Sequence, residues 1–290
     1  MSEQPVDSKN VMGGPGITAG GNVSISDILG QVSIGKNIYQ INSKNPVQES
    51  FHIAPIQVQA LTEPFVEIPV MQEIKSHLLN SSNSQGILAI TAIQGLGGIG
   101  KTTLAKIIAH DKEVQDYFSN GILWVTLGQE PDKLSLLNGW IKELRDSQSN
   151  HTTVETASNH LITLLYEKRI LLVVDDAWNS RDVKPFLVGG SVCQTIITTR
   201  KAYIADDLGA KCYSLNLMTE KQSLELFTKV LKDSWKENEK EDALKVAKDV
   251  GYLPLALNLA AKRRKRDSWI KIHEELEKEI ANLSILSHEY

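Results

Sequence analysis

The chain has 290 residues, 41% hydrophobic and 23% charged, with a formal net charge of −4. That length allows one large domain or two modest ones with buried cores, and so even a charge excludes a general electrostatic pull toward nucleic acid or an anionic membrane. The two cysteines, Cys193 and Cys212, are too few for a disulfide framework and read as buried thiols of a reducing compartment; with no apolar run of membrane-spanning length and no basic-then-apolar leader, the chain is expected in the cytoplasm.

Residues 1–50 are poor in charge and rich in Gly, Asn, Ser, Val and Ile. They hold an imperfect nine-residue repeat, Gly21-Asn-Val-Ser-Ile25 against Gly30-Gln-Val-Ser-Ile34, with a third start at Ile38-Tyr-Gln-Ile41. Apolar and polar residues alternating between glycines suit very short strands that stack or pair. Such units cannot bury a core alone. The segment reads either as an assembly element, meeting copies of itself or a protein partner through residues 17–42 in cross-β fashion, or as a disordered polar tail.

Residues 51–64, with Pro55 and Pro64, read as a linker. Helical spacing from Val70 through Ile74 to Leu78 predicts a short helix over Phe65–Leu79, with Phe65 and Val66 beside the base of any bound nucleotide. A strand over Gly86–Ile93 follows a turn at Ser81–Gln85. It runs into Gly95-Leu-Gly-Gly-Ile-Gly-Lys-Thr-Thr103, the spacing of a phosphate-binding loop with a helix opening near Lys101. Gly95, Gly97, Gly98 and Gly100 permit backbone angles and a close approach that a Cβ would block, so that N–H groups can turn inward around an anion. Ile99 and Thr103 complete the loop, Lys101 can reach the β- and γ-phosphates, and the Thr102 hydroxyl can ligate Mg²⁺. The alternative is a Gly-rich turn without a ligand.

A second strand is expected over Gly121–Leu127, then a helix with Leu134, Leu137, Ile141 and Leu144 on one stripe and another with Leu161, Leu164 and Leu165. Alternating strands and helices predict an α/β fold, a parallel sheet covered on both faces. The apolar strand Ile170–Val174 ends in Asp175-Asp176, where ligands bind in open α/β sheets. Asp175 can support a metal and Asp176 can orient or deprotonate a water, unless the pair only caps a helix. A fourth strand over Gln194–Thr199 ends in Arg200, which either reaches a γ-phosphate or lies on the surface. A fifth strand is expected over Cys212–Leu217.

Beyond it the pattern is helical. Thr219 and Gln222 have capping-box spacing before a helix with Leu224, Phe227 and Leu231. Helices follow over Asp242–Val250, from Pro254 through Leu259, and over Trp269–Leu283, making a small helical bundle. The basic run Lys262–Arg266 could bind phosphate or nucleic acid, but Glu274, Glu275, Glu277 and Glu279 favour a solvated surface with compensating charge.

Taken in order, Gly95-Leu-Gly-Gly-Ile-Gly-Lys-Thr-Thr-Leu-Ala105, Leu171-Leu-Val-Val-Asp-Asp-Ala-Trp178, Thr198-Thr-Arg200 and Gly251-Tyr-Leu-Pro-Leu-Ala256 resemble the NB-ARC class of signal-transducing P-loop NTPases, which includes plant disease-resistance proteins. The resemblance spans about residues 65–283. It implies a nucleotide-binding α/β domain, set here at 65–217, and a helical domain at 218–290, with ADP held in the inactive state and exchange for ATP driving homo-oligomerisation. By that resemblance Lys101 and Thr102 bind phosphate and Mg²⁺, Asp175 supports the metal, Asp176 is the hydrolytic carboxylate, Arg200 senses the γ-phosphate and Pro254 packs near the base. The implied activity is at most slow NTP hydrolysis, the alternative being a turnover ATPase or phosphotransferase. Glu67-Ile68 stands where the family usually has Gly-Arg, and the chain stops at Tyr290, about where a winged-helix domain is expected. Residues 1–50 also resemble N-terminal stretches of some microbial signalling nucleotidases.

Overall fold

The computed structural model describes residues 31–34, 37–40, 58–80, 86–92, 97–146 and 150–287; the Gly21–Ile25 repeat, Pro55, the Ser81–Gln85 turn and Gly95 lie outside them. The chain divides into two compact units, Met1–Ile53 and Ala54–Tyr290. In the first, strands β1 (Gln31–Ile34) and β2 (Asn37–Gln40) pair antiparallel, with Val32 opposite Tyr39 and Ser33 opposite Ile38.

The second unit opens with α1 (Pro69–Asn80) and β3 (Gly86–Ala92), then α2 (Lys101–His110), α3 (Lys112–Tyr117) and β4 (Ile122–Gly128). Next come α4 (Lys133–Glu143), α5 (Val154–Leu165), β5 (Leu171–Ala177), α6 (Ser180–Val183), β6 (Gln194–Thr199), α7 (Tyr203–Asp207) and β7 (Lys211–Leu215). The five strands are all parallel in the order β4-β5-β6-β3-β7. Their alternation feeds two cores. Ile122, Leu171, Val173 and Ile196 face α1, α2 and α3, whereas Leu123, Leu172, Val174 and Ile197 face α4 and α5. Strands buried on both faces read as continuous apolar runs because each neighbouring residue enters a different core.

Four further helices, α8 (Glu220–Leu231), α9 (Lys240–Asp249), α10 (Pro254–Arg264) and α11 (Trp269–Ser287), enclose a third core around Phe227, Val246, Leu257 and Trp269. Thr219 caps α8 with a complete capping box: its hydroxyl accepts from Gln222 N, and the Gln222 side chain accepts from Thr219 N. Val66 is buried in this third core while Ile68 packs on the first, so the segment ahead of α1 touches both.

Three expectations are corrected and a fourth gains different partners. The helix expected from Phe65 begins at Pro69, because a proline pushes the residue before it out of the helical region and itself suits a first turn. β5 does not stop at Val174 but continues through Asp175-Asp176 to Ala177, with a register shift against β6 between Val174 and Ala177. Cys193 is buried, but Cys212 is exposed, since β7 is an edge strand that turns Tyr213 and Leu215 into the core and its alternate residues outward. The basic run is on the surface, and among its compensating partners only Glu275, paired with Arg263, comes from the expected acidic group. Lys262 pairs instead with Glu63 and Arg264 with Glu239.

Candidate functional site

Of the phosphate-loop residues, those from Gly97 onward are described, and two need glycine. Gly98 has φ +79°, and a Cβ there would lie 2.9 Å from Leu255 Cβ. Gly100, the residue preceding α2, has φ 101° and ψ 15°. Both angles lie in the left-handed region that costs a side chain strain. Ile99 is buried in the core beneath the loop, and Thr103 is exposed on the first turn of α2.

Lys101 is 8% exposed at the first position of α2. Burial holds its pKa below the ordinary lysine value, and the positive charge of Arg200 adds to the effect against the opposing pull of Asp176 and Asp175. Two cations brought together with one of them desolvated make a site in which added negative charge is favourable. Arg200 lies over the loop: a Cβ built on Gly97 would be 3.3 Å from Arg200 Nη1.

Asp175 is 4% exposed and accepts three hydroxyls. Thr102 Oγ1 donates to its Oδ1 at 2.7 Å, Thr198 Oγ1 to the same oxygen at 2.6 Å, and Thr126 Oγ1 to Oδ2 at 3.5 Å. The loop strand β3 and the carboxylate strand β5 are not neighbours, and β6, which lies between them, supplies the bridging Thr198. Thr102 and Asp175 form an oxygen donor pair, the hard ligand type that Mg²⁺ takes beside phosphate oxygens and water.

Asp176 adopts φ +53°, unusual for a residue with a side chain, inside the β5 irregularity. Its backbone N–H donates to Thr198 Oγ1 at 2.9 Å, and Trp178 Nε1 donates to its Oδ2 at 3.0 Å. Thr198, Thr126 and Trp178 are therefore functional candidates that strand patterning did not single out. Thr126 and Thr198 occupy ordinary β positions, and strand pairing alone brings them to the carboxylates, whereas Trp178 follows the end of β5 and folds back on Asp176 two residues earlier.

Helix α10 approaches the loop directly. Leu255 N donates to Gly98 O at 3.2 Å, so the first turn of α10 uses an orphan N–H on the loop itself. Gly251 and Tyr252, with φ 59° and 55°, turn the chain from α9 into Leu253-Pro254. A cavity of about 780 Å³ runs between these parts, lined by Phe65, Val66, the loop from Gly97 to Thr103, Asp176, Thr198, Arg200 and Pro254. Every described site residue from the sequence lines it except Asp175, which lies just beneath through Thr102 and Thr198. Its size suits a small-molecule ligand.

The family described as NB-ARC domain matches residues 68–237 of the chain. The regulatory protein AfsR of Streptomyces griseus is 32% identical over 234 residues, covering 77% of this chain and 23% of AfsR. Probable disease resistance RPP8-like protein 2 of Arabidopsis thaliana is 26% identical over 232 residues, covering 75% of this chain and 25% of that protein. The chain thus spans about a quarter of the length of these curated relatives. Among solved structures, the Aeropyrum pernix ORC2 protein in its ADPNP-ADP complexes aligns with a TM-score of 0.56 at 13% identity, over 76% of this chain and 70% of that one, which shows the shared fold.

Proposed function

The chain belongs to the NB-ARC family, and on that premise we propose that it is a nucleotide-controlled signalling switch, binding ATP or ADP with Mg²⁺ between an α/β domain at 65–217 and a helical domain at 218–290. The observation that carries this reading is the bond from Leu255 N to Gly98 O, at 3.2 Å. It ties the phosphate loop to the first turn of α10 beside Pro254, so any shift of the loop on phosphate binding reaches the helical part without an intermediary.

In this reading the loop N–H groups and the start of α2 hold the β-phosphate, and Lys101 bridges the β- and γ-phosphates. Thr102 and Asp175 hold the cation, which when bound neutralises charge across the terminal phosphates. Asp176 orients the attacking water, Arg200 meets the γ-phosphate, and Phe65, Val66 and Pro254 enclose the base. Exchange of ADP for ATP then biases the fit of α10 on the loop, a hinge-type change driven by one phosphate. Clustering of protomers follows, with residues 17–42 joining copies or a partner. Hydrolysis resets the switch and is slow; the protein acts in the cytoplasm.

Mass spectrometry of nucleotide released by denaturing the purified protein tests the first step. Adenine nucleotide at near one per chain is expected, and Lys101→Ala should remove it; equal nucleotide in both proteins would sink the assignment. Asp176 on the cavity wall favours one rival, a turnover ATPase or phosphotransferase. Retained ADP with slow steady-state hydrolysis supports the switch, and fast multiple turnover supports the enzyme.

A further inference from the structure

Asp176 and Arg200 both line the cavity, and one side chain touches both without lining it: Trp178. Its indole Nε1 donates to Asp176 Oδ2 at 3.0 Å, and the Arg200 guanidinium carbon lies 5.4 Å from its ring centroid. The residue is itself held. Lys201 Nζ donates to the Trp178 carbonyl at 3.1 Å and stands 5.5 Å from the same ring.

An indole can meet both demands at once. Its N–H is a donor only, so it needs an acceptor, which a carboxylate oxygen supplies, and its face carries the negative quadrupole that attracts a guanidinium. Asp176 needs such support because its backbone is in the left-handed region and its side chain is half-exposed. Arg200, an exposed arginine against Gly97, would otherwise have the rotamer freedom of a long surface side chain.

We propose that Trp178 is a positioning residue that holds the Asp176 carboxylate and the Arg200 guanidinium in register from behind the cavity, so that the site's response to a third phosphate runs through it while affinity for the diphosphate does not. This rests on the switch reading above. Arg200 has two partners to choose between, the indole face and a terminal phosphate. Engaging the phosphate draws the guanidinium off the ring, which leaves the indole with a changed cationic neighbour and the carboxylate bond still in place.

The test uses the full chain and its Trp178→Phe variant, which keeps an aromatic face but loses the N–H. Calorimetry would measure the affinities for ADP and for a non-hydrolysable ATP analogue, with single-turnover ATP hydrolysis and tryptophan emission measured in parallel. In the variant, both affinities are expected to stay within about two-fold of the parent. Hydrolysis should fall by about ten-fold, the effect of losing one hydrogen bond to a charged group. The emission difference that the parent shows between the two nucleotides should shrink by the share that Trp178 contributes. An unchanged hydrolysis rate, or an emission difference as large in the variant as in the parent, would overturn the proposal. Should Trp178→Phe not fold, Arg200→Gln in the otherwise native chain decides the matter: the emission difference must shrink while ADP still binds, and a difference of the parent's size refutes the coupling. A parent chain that binds neither nucleotide refutes the switch reading itself, an outcome distinct from all of these.

Discussion

Lys101 shows most directly how the site spends its charge. It is buried beside Arg200, and both burial and the like charge disfavour its protonated form. A bound phosphate reverses the balance, so the lysine pKa is higher in the complex than in the free protein and binding takes up a proton wherever the two states differ. By linkage, affinity is full below the free-state pKa and weakens as pH rises through it toward the bound-state value. Calorimetry over rising pH up to the ordinary lysine value of about 10.4 should show ADP affinity falling and binding taking up a proton. Thiol labelling gives a second check at this scale. Cys193 is buried with its pKa pushed up by burial, whereas Cys212 is exposed on the cavity rim. Cys212 is expected to label and Cys193 to resist, and saturating nucleotide should slow the labelling of Cys212 in a mass-spectrometric time course.

At the scale of elements, the contact of the loop with α10 tolerates no added bulk. Gly98→Ala would impose a left-handed angle on an alanine and press its Cβ onto Leu255. Loss of nucleotide affinity by about ten-fold is expected, reflecting roughly 1–2 kcal/mol of strain and displaced backbone; Gly128→Ala, where φ is also positive but nothing lies within 4 Å, provides the comparison. The same nucleotide affinity in both variants would show that the loop's approach to α10 is not needed for binding. The cap of α8 is a milder case. Thr219→Ala removes the bond that its hydroxyl accepts from Gln222 N, leaves the one from its own backbone N–H, and should cost about 1 kcal/mol in denaturant unfolding. That element was legible in advance, because capping is a matter of residues three apart. The start of α1 was misplaced by four residues, since the apolar positions Phe65 and Val66 look helical until Pro69 is weighed.

For the whole molecule, the question is whether the α/β and helical parts act together on a ligand in the cavity they both line. Trp269, 2% exposed, packs on Phe227 with ring centroids 4.7 Å apart in the core of the helical part. Trp269→Ala should destabilise by about 3–5 kcal/mol. If the two parts are coupled through the cavity, thermal unfolding of this variant should be rescued in part by nucleotide, because a ligand that binds only the joined state adds its binding free energy to stability. No shift of the variant's melting temperature with nucleotide that shifts the parent would argue that α10 contributes nothing to the site.

The chain's own pattern determined the order and type of the main elements: the glycine spacing, the lysine and threonine after it, the apolar strand running into carboxylates, and the capping box are local signals with local causes. Only the tertiary structure decided the rest. The order β4-β5-β6-β3-β7 places β6 between the loop strand and the carboxylate strand, and so makes Thr198 the hinge of the hydroxyl network around Asp175. The same packing brings Trp178 to Arg200, Leu255 to Gly98 and Val66 into the helical core. Periodicity reports which face of an element is apolar, but β5 is apolar on both faces and β6 is buried on both faces with polar residues at its ends. Strand order is then set by long-range pairing, and no residue pattern along the chain records it.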